Sequence, residues 1–227
     1  MTLEFAVRLT EVLLGLAILQ QSLEFVRRVA PERIWGLLRG GLAIALVLGF
    51  QPLWVEVALL LSAVFMLWRF RGPYNGGSDT MTLLILICIL LSNLAPTRYW
   101  QEIALGYLAV QAVLSYFQSG WVKLINTDWR SGRALQQVFA LSAYPVSEAL
   151  RVWCLRTRLL WWVSWAVIVF ELAFPLALLE QRLLFVALLI AAFFHLANAL
   201  LFGLNHFFWI WPAAYPALLW FQDRLFG

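Results

Sequence analysis

Charged side chains are scarce in this sequence. They make up 12% of the 227 residues, whereas apolar side chains make up 63%; soluble domains have about 25% charged residues. A chain with so few charges cannot cover a water-facing surface with them, so the composition excludes a soluble globular protein. The formal net charge of +4 does not indicate nucleic-acid binding either, because the cations lie between hydrophobic runs, where membrane proteins place them.

Cysteine and histidine are also rare, with two residues of each. Cys88 and Cys154 lie far apart and form no CxxC motif, which excludes a disulfide framework and a redox motif. Eleven positions separate His195 and His206, which is roughly 16 Å along a continuous helix and too far for one shared ion. No metal site is therefore predicted.

Long apolar runs are abundant, and eight of them approach the roughly 20 residues with which a helix crosses a bilayer. They cover residues 4–24, 34–50, 53–69, 80–95, 100–118, 159–180, 183–203 and 206–222. Residues 40–68 could instead form one long tilted span, but Gln51-Pro52 favours a break. Because helices satisfy their own backbone in lipid, we expect a single all-α integral membrane domain over 1–227 with about eight transmembrane helices. The expected location is a membrane crossed several times, specifically a bacterial inner membrane.

The long connection between the fifth and sixth runs, residues 119–158, has its own pattern. Apolar Leu124 and Trp129 alternate with Lys123 and Asp128. This alternation is typical of short amphipathic helices that lie in the membrane interface. We expect such helices between the fifth and sixth spans.

Ionisable residues within apolar runs cost about 2.5–3.5 kcal/mol each on insertion scales, so each is a candidate functional residue. Arg8 and Glu11 are three residues apart on a predicted helix and can pair. Glu56 is expected at the interface, where its carboxylate reaches water. Glu171 lies near the middle of its run, one turn before Pro175, and should be neutral or paired. A ligand site and a contact between helices both remain open for Glu171.

One predicted helix face near the end of the chain carries several polar groups. His195, Asn198, Phe202 and His206 project within about 80° of one another on a continuous helix. Such a face lies against protein rather than lipid. The polar groups either form hydrogen bonds between helices or take part in ligand binding or proton transfer.

Two further motifs carry possible chemistry. Lys123 follows Ser119-Gly120-Trp121 among apolar side chains, so it either acts as a base after losing its proton or extends toward lipid headgroups. The segment Gly72–Asp79 is rich in turn residues, and Ser78 or Asp79 can cap the next helix. Anion binding by this glycine-rich turn is the alternative.

Several of these motifs occur together in one known family. They are Arg71-Gly-Pro-Tyr-Asn-Gly-Gly-Ser-Asp79, Tyr116-Phe-Gln-Ser-Gly-Trp-Val-Lys-Leu124 with Asp128-Trp129 and Gly132, and His195 with Gly203-Leu-Asn-His-Phe207. Over nearly the whole chain the sequence resembles the HTTM (horizontally transferred transmembrane) family, whose membrane domain also occurs in vitamin-K-dependent gamma-carboxylase. The Gly-x-x-Lys-Leu run followed by Asp-Trp is the most specific part of the resemblance.

The resemblance implies a multi-helix membrane domain that binds a reduced quinone and uses a lysine base. In the carboxylase, this base oxygenates reduced vitamin K and drives carboxylation of glutamate. Lys123 matches the position of that lysine, although its spacing to Asp128 is one residue longer. The carboxylase motif has a lysine where this chain has Val122, and this chain ends at Gly227 without the large lumenal portion of the carboxylase. Glutamate carboxylation by this chain alone is therefore not expected.

Three functions remain from the sequence. The first is quinone-linked or peptide-modifying chemistry, with Lys123 as catalytic base and His195, Asn198, His206 and Glu171 as ligand-binding residues. The second is a noncatalytic accessory or assembly subunit of a larger membrane complex. The third is a small-molecule transporter. The expected partners are the lipid bilayer and either a peptide substrate or a larger membrane protein complex, with a reduced quinone as the candidate cofactor and no nucleic acid.

Overall fold

A computed structural model describes residues 1–69, 76–141 and 147–227, and within these ranges it contains helices and no strand. The α-helices are α1 (Leu3–Val26), α2 (Glu32–Leu48), α3 (Pro52–Arg69), α4 (Gly76–Leu94), α5 (Arg98–Ile125), α6 (Thr127–Arg130), α7 (Arg133–Ala140), α8 (Glu148–Arg151), α9 (Thr157–Ala173), α10 (Gln181–Phe202), α11 (Asn205–Ile210) and α12 (Tyr215–Phe226). Short 3₁₀ helices cover Val152–Leu155, Phe174–Leu179 and Pro212–Ala214. The predicted all-α class is confirmed.

The structure does not support the predicted number of about eight spans. Four helical segments are long and apolar enough to cross a membrane within the described ranges, namely Pro52–Arg69, Gly77–Leu94, Thr157–Leu179 and Gln181–Phe202. The helix α2 is 17 residues long and α12 only 12. The long helices α1 and α5 are not among the four segments. The sequence thus predicted helices better than it predicted which of them are apolar enough to cross a membrane.

Glycine and proline set the helix boundaries. Gly49 has a φ of 73° and ends α2, and α3 begins at Pro52, so residues 40–68 do not form one long helix. At Pro175 the last turns after α9 become a 3₁₀ helix, because proline lacks the N–H that an α-helical bond requires. Gly203, at a φ of 69°, ends α10.

The backbone divides into two compact units. The first contains Met1–Val110 and Asn205–Gly227, and its fully buried side chains include Leu14, Leu46 and Leu59. The second contains Gln111–Leu204, with Leu160, Ile168 and Phe174 fully buried. The single domain over 1–227 stays a prediction.

The two apolar segments of the second unit bury few of their residues. In each of Thr157–Leu179 and Gln181–Phe202, only 28% of the apolar 18-residue stretch is buried inside the structure. Leu176, Val186 and Phe193 are among the side chains that are half or more exposed. An apolar surface of this extent is stable when lipid covers it. The chain is therefore an integral membrane protein.

Short helices follow α5, as the sequence predicts, but they begin at Thr127 rather than at residue 119, because α5 continues through Lys123 to Ile125. Asn126 starts α6 by accepting hydrogen bonds from the N–H groups of Asp128 and Trp129. The helix α7 buries Phe139 and exposes charged Arg133 at its start. Residues 142–146 of this segment lie outside the described ranges, and the location of these helices at the membrane surface stays a prediction.

Candidate functional site

One face of α5 carries the residues of the Gly-x-x-Lys motif. Tyr116, Ser119, Gly120 and Lys123 are spaced i, i+3, i+4 and i+7, so their Cβ positions lie along one side of the helix. This face packs on α9 and α10 within the second unit, as the contacts below establish. The motif is therefore a packing face as well as a set of polar groups.

Gly120 allows α5 to approach α9 closely. A Cβ atom at Gly120 would lie 2.8 Å from the backbone nitrogen of Leu172 and 2.9 Å from Cβ of Glu171. Both distances are too short for a side chain of any kind. The glycine of the motif is thus required at the point where the two helices touch, one turn before the lysine.

This close approach brings Lys123 to Glu171. The Nζ atom donates to both carboxylate oxygens, at 2.9 Å to Oε1 and 2.7 Å to Oε2, and it also donates to Ser119 Oγ. The Ser119 hydroxyl in turn donates to Glu171 Oε1 at 3.2 Å. Side-chain exposure is 14% for Lys123 and 3% for Glu171. The three side chains therefore form one buried hydrogen-bonded cluster between α5 and α9.

An aromatic ring also lies next to the lysine. Nζ of Lys123 is 5.1 Å from the centroid of the Trp129 ring, within the range of a cation–π interaction. The segment that carries Trp129 is fixed to α9, because Ser164 Oγ donates to the Trp129 carbonyl at 2.5 Å and Trp165 Nε1 donates to the Arg130 carbonyl at 3.1 Å. The Asp-Trp part of the motif thus supplies a positioned ring against the ammonium group.

A second polar pair lies two turns earlier on the same face of α5. The Tyr116 hydroxyl and His195 Nε2 are 2.9 Å apart, and His195 is 3% exposed. The Tyr116 ring stacks on Phe174 with centroids 4.1 Å apart. Lys123 and Tyr116 are seven residues apart, about 10 Å along the helix. His195 therefore belongs to the same helix interface as Lys123 without touching it.

The predicted face from His195 to His206 is wrong as a continuous helix. Gly203 ends α10, and α11 begins at Asn205, so His206 starts from a different helix. His206 belongs to the first unit, where its Nε2 lies 3.1 Å from Thr82 Oγ1. Asn198 stays in α10 and is half-buried, and its carbonyl accepts from the Leu204 N–H at 3.4 Å.

Glu171 and Lys123 were each singled out from the sequence, but the contact between them was not. Forty-eight positions separate the two residues, and no periodicity within either segment indicates that they meet. Of the two states expected for Glu171, neutral or paired, the structure shows the paired one, with Lys123 as the partner. The clue in the sequence is Gly120, because a glycine inside a long helix often marks a close approach of another backbone.

A further buried cluster in the first unit was missed. Glu56 is 0% exposed rather than at a water-facing interface, since Asn93 Nδ2 donates to its Oε1 at 2.8 Å and to Glu11 Oε1 at 3.1 Å. The predicted Arg8–Glu11 pair is present at 2.7 Å. Arg8 also donates to the carbonyls of Leu46 and Val47 at the end of α2. The amide of Asn93 was the unrecognised element that allows Glu56 to be buried.

The glycine-rich motif can be followed only in part. Residues 70–75, which include Arg71 and Pro73, lie outside the described ranges. The helix α4 already covers Gly76, so Ser78 and Asp79 lie inside it and neither is its cap. Asp79 Oδ1 instead accepts from Gln21 Nε2 at 3.3 Å.

The fold and the buried cluster define an all-α integral membrane protein with charged side chains paired between helices. Within that class, the sequence model of the HTTM domain matches residues 83–222, which is more than half of the chain. The chain belongs to the HTTM-domain family, and the resemblance predicted from the motifs is confirmed. The matched region includes Lys123, Glu171, His195, Asn198 and His206. No curated protein and no solved structure matches the chain.

Proposed function

We propose that this membrane protein is an enzyme, or the catalytic subunit of one, in which Lys123 accepts a proton from a lipid-soluble substrate of the reduced-quinone class. The observation that carries the proposal is the buried contact of Lys123 with Glu171 at 2.7 Å. Lysine can serve as a base only after it has lost its own proton. Glu171 is the adjacent group that can take this proton.

The cluster of donors and acceptors fits a ring that bears a hydroxyl group. Among the described residues, only Lys123 donates to Glu171 Oε2, which leaves lone-pair capacity for one further donor. Trp129, 5.1 Å from Nζ, adds an aromatic face. Lys123 and Glu171 would hold such a hydroxyl, and a reduced quinone bound there would supply it as the acidic group.

The chain's own residues then carry the proton in two transfers. The first moves a proton from Lys123 Nζ to a carboxylate oxygen of Glu171, which converts the charged pair into a neutral amine and a neutral carboxyl. The second moves the substrate's hydroxyl proton to the neutral Nζ, which restores the ammonium. Ser119 orients Nζ through its hydrogen bond, and the Trp129 ring stabilises the restored positive charge.

One feature favours this proposal over a purely structural ion pair. The Tyr116–His195 pair lies on the same face of α5 and provides a second group for hydrogen bonding to a ligand. A purely structural Lys123–Glu171 pair would not require this second polar pair. Val122 stands where the carboxylase motif has a second lysine, so Lys123 here acts without a neighbouring cation that would favour its neutral form.

The test is mass spectrometry of the protein purified gently from its native membrane, with all copurifying small molecules and polypeptides identified. We expect a stoichiometric quinone with the unaltered protein and with Lys123→Arg, which keeps the charge, and its loss in Lys123→Ala and His195→Ala. The matched control is Arg151→Ala, which removes a half-buried cation paired with the exposed Glu148 and should retain the quinone. A stoichiometric protein partner without any quinone would overturn the proposal and indicate an accessory subunit.

A further inference from the structure

An apolar groove of about 650 Å³ lies between α2 and α3 in the first unit. Its volume falls within the roughly 300–1,000 Å³ of small-molecule sites. Apolar side chains form most of the lining, and Leu37, Leu38 and Leu61 are each more than half exposed at its opening. The groove therefore opens toward the surface that an integral membrane protein presents to lipid.

Two buried donors line this apolar groove. Arg39 is 3% exposed and Ser62 is 6% exposed, and both belong to the lining. The Nε atom of Arg39 and the Oγ atom of Ser62 are buried without a hydrogen-bond partner among the described residues. A polar group left unpaired away from water is costly, and more so in a membrane. The groove thus lacks a hydrogen-bond acceptor.

The connection between α2 and α3 places these donors at the same depth. Gly49 and Gln51 form the turn between the two helices. Arg39 precedes the turn by ten residues and Ser62 follows it by eleven, so both lie at a similar distance along their helices from the turn. Both also line the same groove, so one ligand in the groove lies next to both residues.

The charge of Arg39 determines which acceptor fits. Its Nη1 atom donates to Gln21 Oε1 at 2.9 Å, and Gln21 Nε2 donates to Asp79 at 3.3 Å. Asp79 thus interacts with Arg39 electrostatically and through the amide of Gln21, but no carboxylate in the described ranges lies in direct contact with the guanidinium group. Buried guanidinium groups are stabilised by a carboxylate in direct contact.

We propose that the groove between α2 and α3 binds a long-chain carboxylic acid, with its carboxylate on Arg39 Nε and Ser62 Oγ and its chain along the apolar lining. The acid enters sideways from the bilayer through the opening at Leu37, Leu38 and Leu61. This site is independent of the Lys123 cluster, and either proposal can fail without the other.

The experiment is photo-crosslinking of the full chain in nanodiscs with a diazirine-labelled fatty acid, with the labelled peptides mapped by mass spectrometry. Unlabelled oleic acid should suppress labelling of α2 and α3, and methyl oleate, which lacks the carboxylate, should compete at least about tenfold less well. The control is the second groove, of about 510 Å³, between α4 and α5, whose lining from Ile87 to Tyr107 contains no charged side chain. Labelling there should respond equally to the acid and to the ester.

Two variants complete the test. Arg39→Met should weaken labelling of the first groove at least about tenfold, and Ser62→Ala should weaken it several-fold. Should Arg39→Met fail to fold, Ser62→Ala and the comparison of acid with ester on the unaltered chain decide the question. Equal competition by acid and ester would overturn the proposal and indicate ordinary lipid contact. Unchanged labelling in Ser62→Ala and in folded Arg39→Met would overturn it as well.

Discussion

Lys123 in the second unit and Arg39 in the first are both buried cations on helices, but their surroundings differ. Lys123 contacts a carboxylate directly at 2.7 Å and also bonds to Ser119. Arg39 reaches Asp79 through the amide of Gln21 rather than by direct contact, and its Nε atom has no partner in the described part of the chain. A cation in contact with a carboxylate of the protein can transfer its proton to that carboxylate. A buried cation without such a contact instead favours a hydrogen-bond acceptor from a bound ligand.

The largest loss in the free energy of unfolding is expected when one partner of the Lys123–Glu171 pair is removed. Glu171→Leu leaves Lys123 buried without a counter-charge, so we expect a loss of about 3–5 kcal/mol in the free energy of unfolding. The double variant Lys123→Met with Glu171→Leu replaces both charges and should recover most of that loss. Thermal unfolding followed by circular dichroism in detergent checks both. Equal destabilisation by the single and double variants would mean that the pair contributes no coupling.

The second-largest loss in the free energy of unfolding is expected when a side chain at position 120 prevents the close approach of α5 to α9. Gly120→Ala places a Cβ atom 2.8 Å from the backbone of Leu172, so α5 and α9 must separate, at a cost of about 1–3 kcal/mol. Gly41→Ala is the matched control in α2, since its Cβ meets nothing within 4 Å and alanine favours the helix. If both variants unfold at the same temperature, the glycine does not determine the helix contact.

A smaller loss in the free energy of unfolding is expected when Arg39, which has no direct carboxylate contact, is replaced. Arg39→Met removes a buried guanidinium whose side-chain bond goes to a neutral amide, so the loss should be about 1 kcal/mol, well below that of Glu171→Leu. The two variants are compared by chemical unfolding in the same detergent. A cost for Arg39→Met equal to that of Glu171→Leu would show that Asp79 acts as a full counter-charge.

The smallest change should occur at an exposed pair. Arg151 and Glu148 are 2.9 Å apart in α8, but the glutamate side chain is 80% exposed. Arg151→Ala should therefore cost no more than about 0.5 kcal/mol. A loss in the free energy of unfolding as large as that of Gly120→Ala would mean that the distance between the two charges, rather than their burial, determines how much an ion pair stabilises the protein.

The helices were predictable from the sequence to a far greater extent than their contacts. Apolar runs and the break at Gln51-Pro52 are local signals, and they located most of the helices to within a few residues of their observed bounds. Two predictions differ from the structure: α5 continues to Ile125 rather than ending at residue 118, and the run 206–222 is divided among α11, a 3₁₀ helix and α12. The number of membrane spans was not predictable by counting runs, because a run can form a helix that is too short to cross a membrane, as the 17-residue α2 and the 12-residue α12 show.

In the candidate site too, the individual residues were more predictable than the contacts between them. Lys123 and Glu171 were each singled out because a charge in an apolar run is costly, but their pairing depends on a contact across 48 positions. His206 was wrongly joined to His195, since the helix rule was extended through Gly203. Glu56 was wrongly assigned to the interface, because the amide of Asn93 that solvates its carboxylate lies on α4.

In the proposed function, Lys123 transfers a proton to Glu171, and the proton of the substrate hydroxyl then returns to Nζ of Lys123. Infrared difference spectroscopy of the reconstituted protein, recorded on addition of a reduced quinone analogue, measures this directly through the stretching band of a protonated carboxyl group. We predict that the band appears, disappears in Glu171→Gln and persists in Glu56→Gln. A band that is absent, or one that remains in Glu171→Gln, would contradict the account.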